Sequence, residues 1–240
     1  MKKDSTSLGY AVFLKKEFNG GFMISPEQQA KVWANTVIVQ FLQVSMISMS
    51  LYHAVKDRKE NEDGDVFKPV NGVDMMAARF ISSMLMHFIV EDDSRHSLNM
   101  MKYCLNHRDH FINIYPPYFI AIIVYVVALM LELNIMLILS TTEDFMWLLL
   151  KFVSLTAINR IPGFFFTSIK HHKATGFGEL KLPILNLRKN NPLKGAGFAI
   201  HLLRFVYKTL RVFFCSVGFY FFPYIAIFVN FKFMIADSWK

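Results

Sequence analysis

From Pro117 to Leu139 the chain runs for 23 residues with a single charge, Glu132. A backbone segment that long and that apolar has few ways to pair its own polar groups. As an α-helix it rises ~1.5 Å per residue, so it reaches across the ~30 Å hydrocarbon core of a bilayer with every N–H and C=O bonded internally. Only a short link, Ser140-Thr141-Thr142-Glu143-Asp144, separates it from a second apolar run, Phe145 to Ile169. A link that short demands an antiparallel helical hairpin. Within the second run, Pro162-Gly163 predicts a kink or an end to the regular helix.

Three further segments read as spans. Val32–Tyr52 is long enough to cross, and its Gln40, Gln43 and Ser50 share one face that should turn toward other helices. Asp74–Val90 is shorter and carries Arg79 and His87. Val212–Phe231 carries no charged residue. Ahead of the first span, Ser25-Pro26-Glu27-Gln28 has the form of a capping box with Pro at the first helical position. Between these spans lie two amphipathic stretches. One covers about residues 93–107, with Leu98, Met101 and Leu105 at helical spacing; it reads as an interfacial helix or as a continuation of the second span. The other covers about 198–211.

Composition supports a membrane class. Hydrophobic residues make up 54% and charged residues 18%, with 25 Phe and 14 Met. Soluble domains carry ~25% charged residues. An ordinary soluble enzyme, a disordered chain and a collagen-like chain are all excluded. The Phe and Met surplus reads as lipid-facing and packing surface. The net charge of +8 could point to nucleic acid in a soluble protein, but here the basic residues flank apolar spans. Anionic lipid headgroups are therefore the expected partners, and nucleic acid is not. Cys104 and Cys215 predict no structural disulfide. Lys15, Lys16 and Glu17 interrupt any apolar core of a cleaved signal peptide. On a five-span reading, seventeen Lys and Arg lie on the side of residues 1–31, 91–116 and 170–211, against six on the other. The positive-inside rule then places the N-terminus in the cytosol.

Glu132 is the acidic residue well inside a span, and a buried carboxylate must be protonated, hydrated or paired. Depth arithmetic from the span centres puts it roughly 6 Å past the middle, with Lys151 roughly 9 Å and Arg79 roughly 4–5 Å out on the same side. A buried cluster of Glu132, Arg79 and Lys151 is the resulting expectation, with Asn134 and Gln43 as lesser members. It can be an ion or proton pathway, or glue that fixes helix register. Asn159-Arg160 lies toward the opposite face, where Arg160 is expected to snorkel.

His201, Arg204, Lys208 and Arg211 recur at intervals of 3, 4 and 3, on one face of the second amphipathic stretch. They invite comparison with a voltage sensor, which needs cations within a span and acids nearby. Here they precede the apolar run and no acid adjoins them, so an interfacial helix that binds anionic lipid is the expectation. Metal readings are thin. His107 and His110, with Asp109 and the nearby His96, Asp92 and Asp93, fix no third ligand, and His171-His172 reads as a basic juxtamembrane patch. No cofactor is indicated. The chain has no Walker loop, G-x-G-x-x-G, H-E-x-x-H or G-x-S-x-G, which argues against the common nucleotide, zinc-protease and serine-hydrolase chemistries.

Three stretches carry a resemblance. They are Met100-Met101-Lys102-Tyr103 with Leu105-Asn106-His107, then Glu132-Leu133-Asn134-Ile135, then Lys151 to Ile158. Together they resemble a family of polytopic membrane proteins from ciliated protozoa, over about residues 75–170. The resemblance implies a membrane fold and no defined activity. Members tend to carry acidic residues after the third motif, where this chain reads Asn159-Arg160-Ile161-Pro162-Gly163.

The sequence thus predicts an all-α, single-domain transmembrane helix bundle over residues 1–240, with four or five spans and peripheral amphipathic helices. An oligomeric channel-like or ion-transport component governed by Glu132 is the first functional expectation. A non-catalytic structural subunit of a larger membrane complex is the second, and a membrane-embedded enzyme the third.

Overall fold

A computed structural model describes residues 13–14, 26–60, 73–142, 144–169 and 197–218. Among these residues the protein is helical, and the one β contact is an isolated bridge between Leu14 and Phe111. The helices are α1 (Pro26–Glu60), α2 (Val73–Asn106), α3 (Tyr115–Thr141), α4 (Phe145–Ile169) and α5 (Phe198–Phe213). A 3-10 turn, Arg108–His110, follows α2, and a π-helical turn, Phe214–Gly218, extends α5. The Ser25 cap, the His171-His172 patch and most of the run Val212–Phe231 lie outside the described residues.

Among the described residues, three segments are long and apolar enough to cross a membrane: Gln29–His53, Tyr115–Ile138 and Phe145–Phe165. They correspond to the first, third and fourth expected spans and are compatible with an integral membrane protein. The Asp74–Val90 segment does not join them by composition. It is instead the first half of α2, which runs unbroken for 34 residues through the stretch read as an interfacial helix or as a continuation of the second span. Hydropathy ends the segment at Val90 because Glu91, Asp92, Asp93 and Arg95 follow. Helix geometry is indifferent to that change of polarity when the backbone bonds continue.

Local chemistry places the helix ends. Asn113 Oδ1 accepts from the Tyr115 N–H at 3.0 Å, and Pro116 and Pro117 occupy the first turn of α3, where no intrahelical donor is needed. Asp144 caps α4, with Oδ1 accepting from the Met146 N–H at 3.1 Å. Pro162 neither ends nor replaces α4, which continues to Ile169. A proline removes only one i→i−4 donor, and a helix with a substitute donor tolerates the loss.

The chain divides into two compact units, to each of which α1, α2, α3 and α4 all contribute. One takes Met1–Leu42, Arg95–Val126 and Arg160–Val212; the other takes Gln43–Ser94, Val127–Asn159 and Phe213–Lys240. In the first, Met101, Cys104, Tyr118, Ala121 and Tyr125 form a close-packed centre. The Ile112 N–H donates to the Phe13 carbonyl at 2.8 Å beside it. Tyr118 Oη donates to the Leu203 carbonyl at 2.6 Å, and Tyr125 Oη to the Leu210 carbonyl at 3.1 Å. Both pairs are separated by 85 residues, so α5 runs parallel to α3 in constant register over two turns. The stretch expected to lie by itself at an interface is therefore a partner of the most apolar helix.

In the second unit, Ile47, Met86, Leu131, Ile135, Leu148 and Leu155 are buried. The surface is the reverse of a soluble protein's. On α2, Arg79, Ser82, Ser83, His87 and Ser94 are buried, while Ile81, Leu85 and Phe88 are about half exposed. The outward residues recur at i, i+4 and i+7, one helix face. Met49, Met146, Trp147 and Val153 are likewise exposed. An apolar exterior over a polar, hydrogen-bonded interior suits a lipid solvent, which gives apolar side chains no reason to turn inward.

Candidate functional site

The central polar group of the second unit is a pair of side chains. His87 Nδ1 and Glu132 Oε1 lie 2.8 Å apart, and both side chains are about 95% buried. One proton occupies that hydrogen bond, carried by either the imidazole or the carboxyl. The pair forms one wall of a small, half-open cleft of about 10 Å³, room for about one water molecule. Val90, Glu91 and Ser94 of α2, Ala128 and Leu129 of α3, and Phe214 complete the lining. His87, Glu91 and Ser94 stand at i, i+4 and i+7, so one face of α2 presents three polar side chains to the cleft.

The expected Glu132–Arg79–Lys151 cluster does not form. Glu132 bonds to His87 alone among the described residues. Arg79, 2% exposed, donates from Nε to the Thr142 carbonyl at 3.0 Å and also from Nη2 to the same oxygen. Lys151 Nζ donates to Thr142 Oγ1 at 3.1 Å. Both cations thus converge on the C-terminal end of α3, where unpaired carbonyls and the helix dipole favour positive charge. The physical reason is the length of α2. Centred on residues 74–90, Arg79 matches the depth of Glu132. Centred on Val73–Asn106, the midpoint moves by roughly 12 Å, His87 takes that level and Arg79 moves toward the helix end.

Two other expected members also separate from Glu132. Asn134 is two residues away, roughly 200° around the helix, and cannot share its face. It is fully buried, and neither side-chain atom has a hydrogen-bond partner among the described residues. Gln43 donates from Nε2 to the Ile158 carbonyl at 3.3 Å. Ile158 precedes Pro162 by four, so its carbonyl is the acceptor that the missing proline N–H leaves open, and Gln43 is the substitute donor. The buried faces of Thr36, Gln40 and Gln43 agree with the polar stripe read from α1. Asn159 Nδ2 donates to Asp93 Oδ2 at 3.0 Å, while the adjacent Arg160 is exposed.

The remaining polar clusters belong to the first unit. Tyr103 stacks on His107 with ring centroids 4.4 Å apart, and its hydroxyl is 2.8 Å from His110 Nδ1. Burial, then the neighbouring Cys104, pushes the Tyr103 phenol up to about 12, and burial pushes the Cys104 thiol up as well. A thiol held protonated is a poor nucleophile and a poor metal ligand. No three His, Cys, Asp or Glu side chains gather to hold a metal ion among the described residues. His201, Lys208 and Arg211 are exposed on α5, Arg204 is half-buried, and Arg211 Nη1 donates to the Tyr207 hydroxyl at 3.1 Å.

The residue that sequence reasoning passed over is His87. Its signal was present: a histidine, a glutamate and a serine at helical spacing across an apparent helix end. No protein-family model, curated protein or solved structure matches this chain.

Proposed function

We propose that this chain is a multi-pass membrane protein in whose bundle the His87–Glu132 pair passes protons as part of an ion-transport component. The observation that carries this reading is a buried imidazole–carboxylate hydrogen bond forming the wall of a small, water-sized cleft. Intramembrane ionisable groups are expensive unless they serve a pathway or a partner. Glu91 and Ser94 extend the polar line along α2 with further acceptors.

The same reading makes the first half of α2 a span despite its polarity, because there Arg79, Ser82, Ser83 and His87 face inward and Ile81, Leu85 and Phe88 outward, whereas beyond Val90 Asp92, Arg95, Asn99 and Lys102 are exposed. Alternation of helix direction supports the five-span reading, with α5 feeding the run Val212–Phe231 as its fifth member. The 87–132 and 79–142 contacts make α2 antiparallel to α3. Contacts 86–156 and 93–159 make α2 parallel to α4. The equal offset of the tyrosine bonds makes α5 parallel to α3. Alternate spans of a five-span chain have those directions, and the Lys and Arg balance then puts the N-terminus in the cytosol.

The test is proton flux into liposomes holding the purified chain, driven by a potassium gradient with valinomycin, beside Glu132→Gln and His87→Gln at matched incorporation. Flux in the native chain that both variants abolish is expected. An absence of flux over a range of pH and potential in well-assembled protein would overturn it. The second reading is a structural subunit. The pairing of Arg79 and Lys151 with Thr142, and of Gln43 with Ile158, favours it, since those side chains serve helix ends and a broken backbone bond.

A further inference from the structure

The cleft beside His87 and Glu132 is closed by one side chain from outside the helices that carry the pair. Seven of its eight lining residues stand on α2 and α3; the eighth is Phe214. Phe214 is 8% exposed, and of residues 212–217 it alone is buried. Phe213 before it and Cys215 after it are both exposed. Its ring therefore stands between the cleft and the outer surface.

The size of the cleft makes that position matter. About 10 Å³ holds about one water molecule, and a phenyl ring is several times larger. Val90, Ala128 and Leu129 in the same lining offer a water nothing to bond. His87 Nε2 and Glu132 Oε2 have no hydrogen-bond partner among the described residues, so both keep bonding capacity for water.

The backbone that carries the ring is unusual. Phe214 opens the π-helical turn Phe214–Gly218, directly after α5 ends at Phe213. A π turn bonds i to i+5, and such turns recur at functional sites. Passing its extra residue along the helix changes by roughly 100° which side chain points at the cleft. The turn thus offers a way to withdraw the ring without unfolding α5.

We infer that Phe214 is the gate of the His87–Glu132 site. With the ring inward the pair is sealed with room for one water; with the π turn shifted, bulk water reaches it. Phe214 is a positioning residue here, because it admits water and takes no proton itself. The gate deepens the proton-passing reading and rests on it for its purpose, while the seal is measurable without flux.

The experiment holds the full chain in phosphatidylcholine nanodiscs and treats it with a water-soluble carbodiimide and glycine ethyl ester. Labelling of Glu132 is followed by peptide mass spectrometry against the exposed Asp74. Phe214→Ala is expected to raise the Glu132 rate several-fold, Phe214→Leu to raise it less, and Phe214→Trp to lower it below native. Phe213→Ala, at the exposed neighbour, is expected to leave it unchanged. A side chain that only packs would give faster labelling in both the alanine and tryptophan variants, in step with their unfolding midpoints. That pattern would overturn the gate, as would native labelling rates in a folded alanine variant. The leucine variant carries the test where alanine loses the fold. Gated labelling in a native chain without proton flux supports the seal and removes the transport reading. Flux with ungated labelling removes the gate alone.

Discussion

His87 and Glu132 meet at 2.8 Å because α2 continues sixteen residues beyond the point where its hydropathy falls. The pair is buried on both sides, so removing one partner strands the other. His87→Leu is expected to destabilise the protein by about 3 kcal/mol, as for other broken buried pairs. His87→Leu/Glu132→Leu is expected to recover most of that loss, since an apolar pair leaves nothing unpaired. Thermal unfolding of the four proteins in one detergent closes the double-mutant cycle. Additive losses would show that the pair is not coupled.

Gln43 and Pro162 form a compensated defect. Gln43→Leu is expected to cost about 1–3 kcal/mol by leaving the Ile158 carbonyl bare in a low-dielectric interior. In a Pro162→Ala background the same change is expected to cost much less, because alanine restores the N–H that Ile158 accepts. Unfolding midpoints of the single and double variants measure this, and an undiminished cost in the alanine background would separate the two residues.

Asn134 presents the opposite balance. Both its side-chain atoms are buried without a partner. Asn134→Leu is expected to be neutral or to stabilise by about 1 kcal/mol, because an apolar group of similar size removes an unpaid desolvation cost. Hydrogen exchange in the second half of α3 and the unfolding midpoint read the change. A marked loss of stability would show that the amide has a buried companion such as water.

Tyr103 sets an alkaline limit. Its ordinary value of 10 rises to about 12 in the fold, so the folded state holds the phenolic proton more tightly than the unfolded state. The unfolded state thus binds fewer protons between these values, and stability falls with rising pH there. The contribution is complete below pH 10 and is lost as pH rises through about 12. Tyr103→Phe is expected to flatten that part of the stability–pH curve, measured by chemical unfolding at successive alkaline pH values. It also removes the contact with His110 Nδ1.

The sequence by itself determined the helical class, the segments apolar enough to cross a membrane and the ends of the strongest elements. A 23-residue apolar run has one economical backbone form in lipid, so α3 was legible within a few residues, as was the start of α4 from the short polar link before Phe145. The buried stripe of Gln40 and Gln43 was legible because helical period and polarity coincide on α1. What only the tertiary structure decided was which charges meet. Depth arithmetic depends on helix midpoints, and the midpoint of α2 was misplaced because hydropathy records polarity, whereas the helix follows backbone hydrogen bonds. That shift moved Arg79 to the end of α3 and brought His87 to Glu132. The fate of Pro162 and the direction of α5 were decided in the same way. Each depends on a side chain far along the chain, Gln43 for the open carbonyl and Tyr118 with Tyr125 for the register. Such pairings are set by packing between helices, which local sequence does not encode.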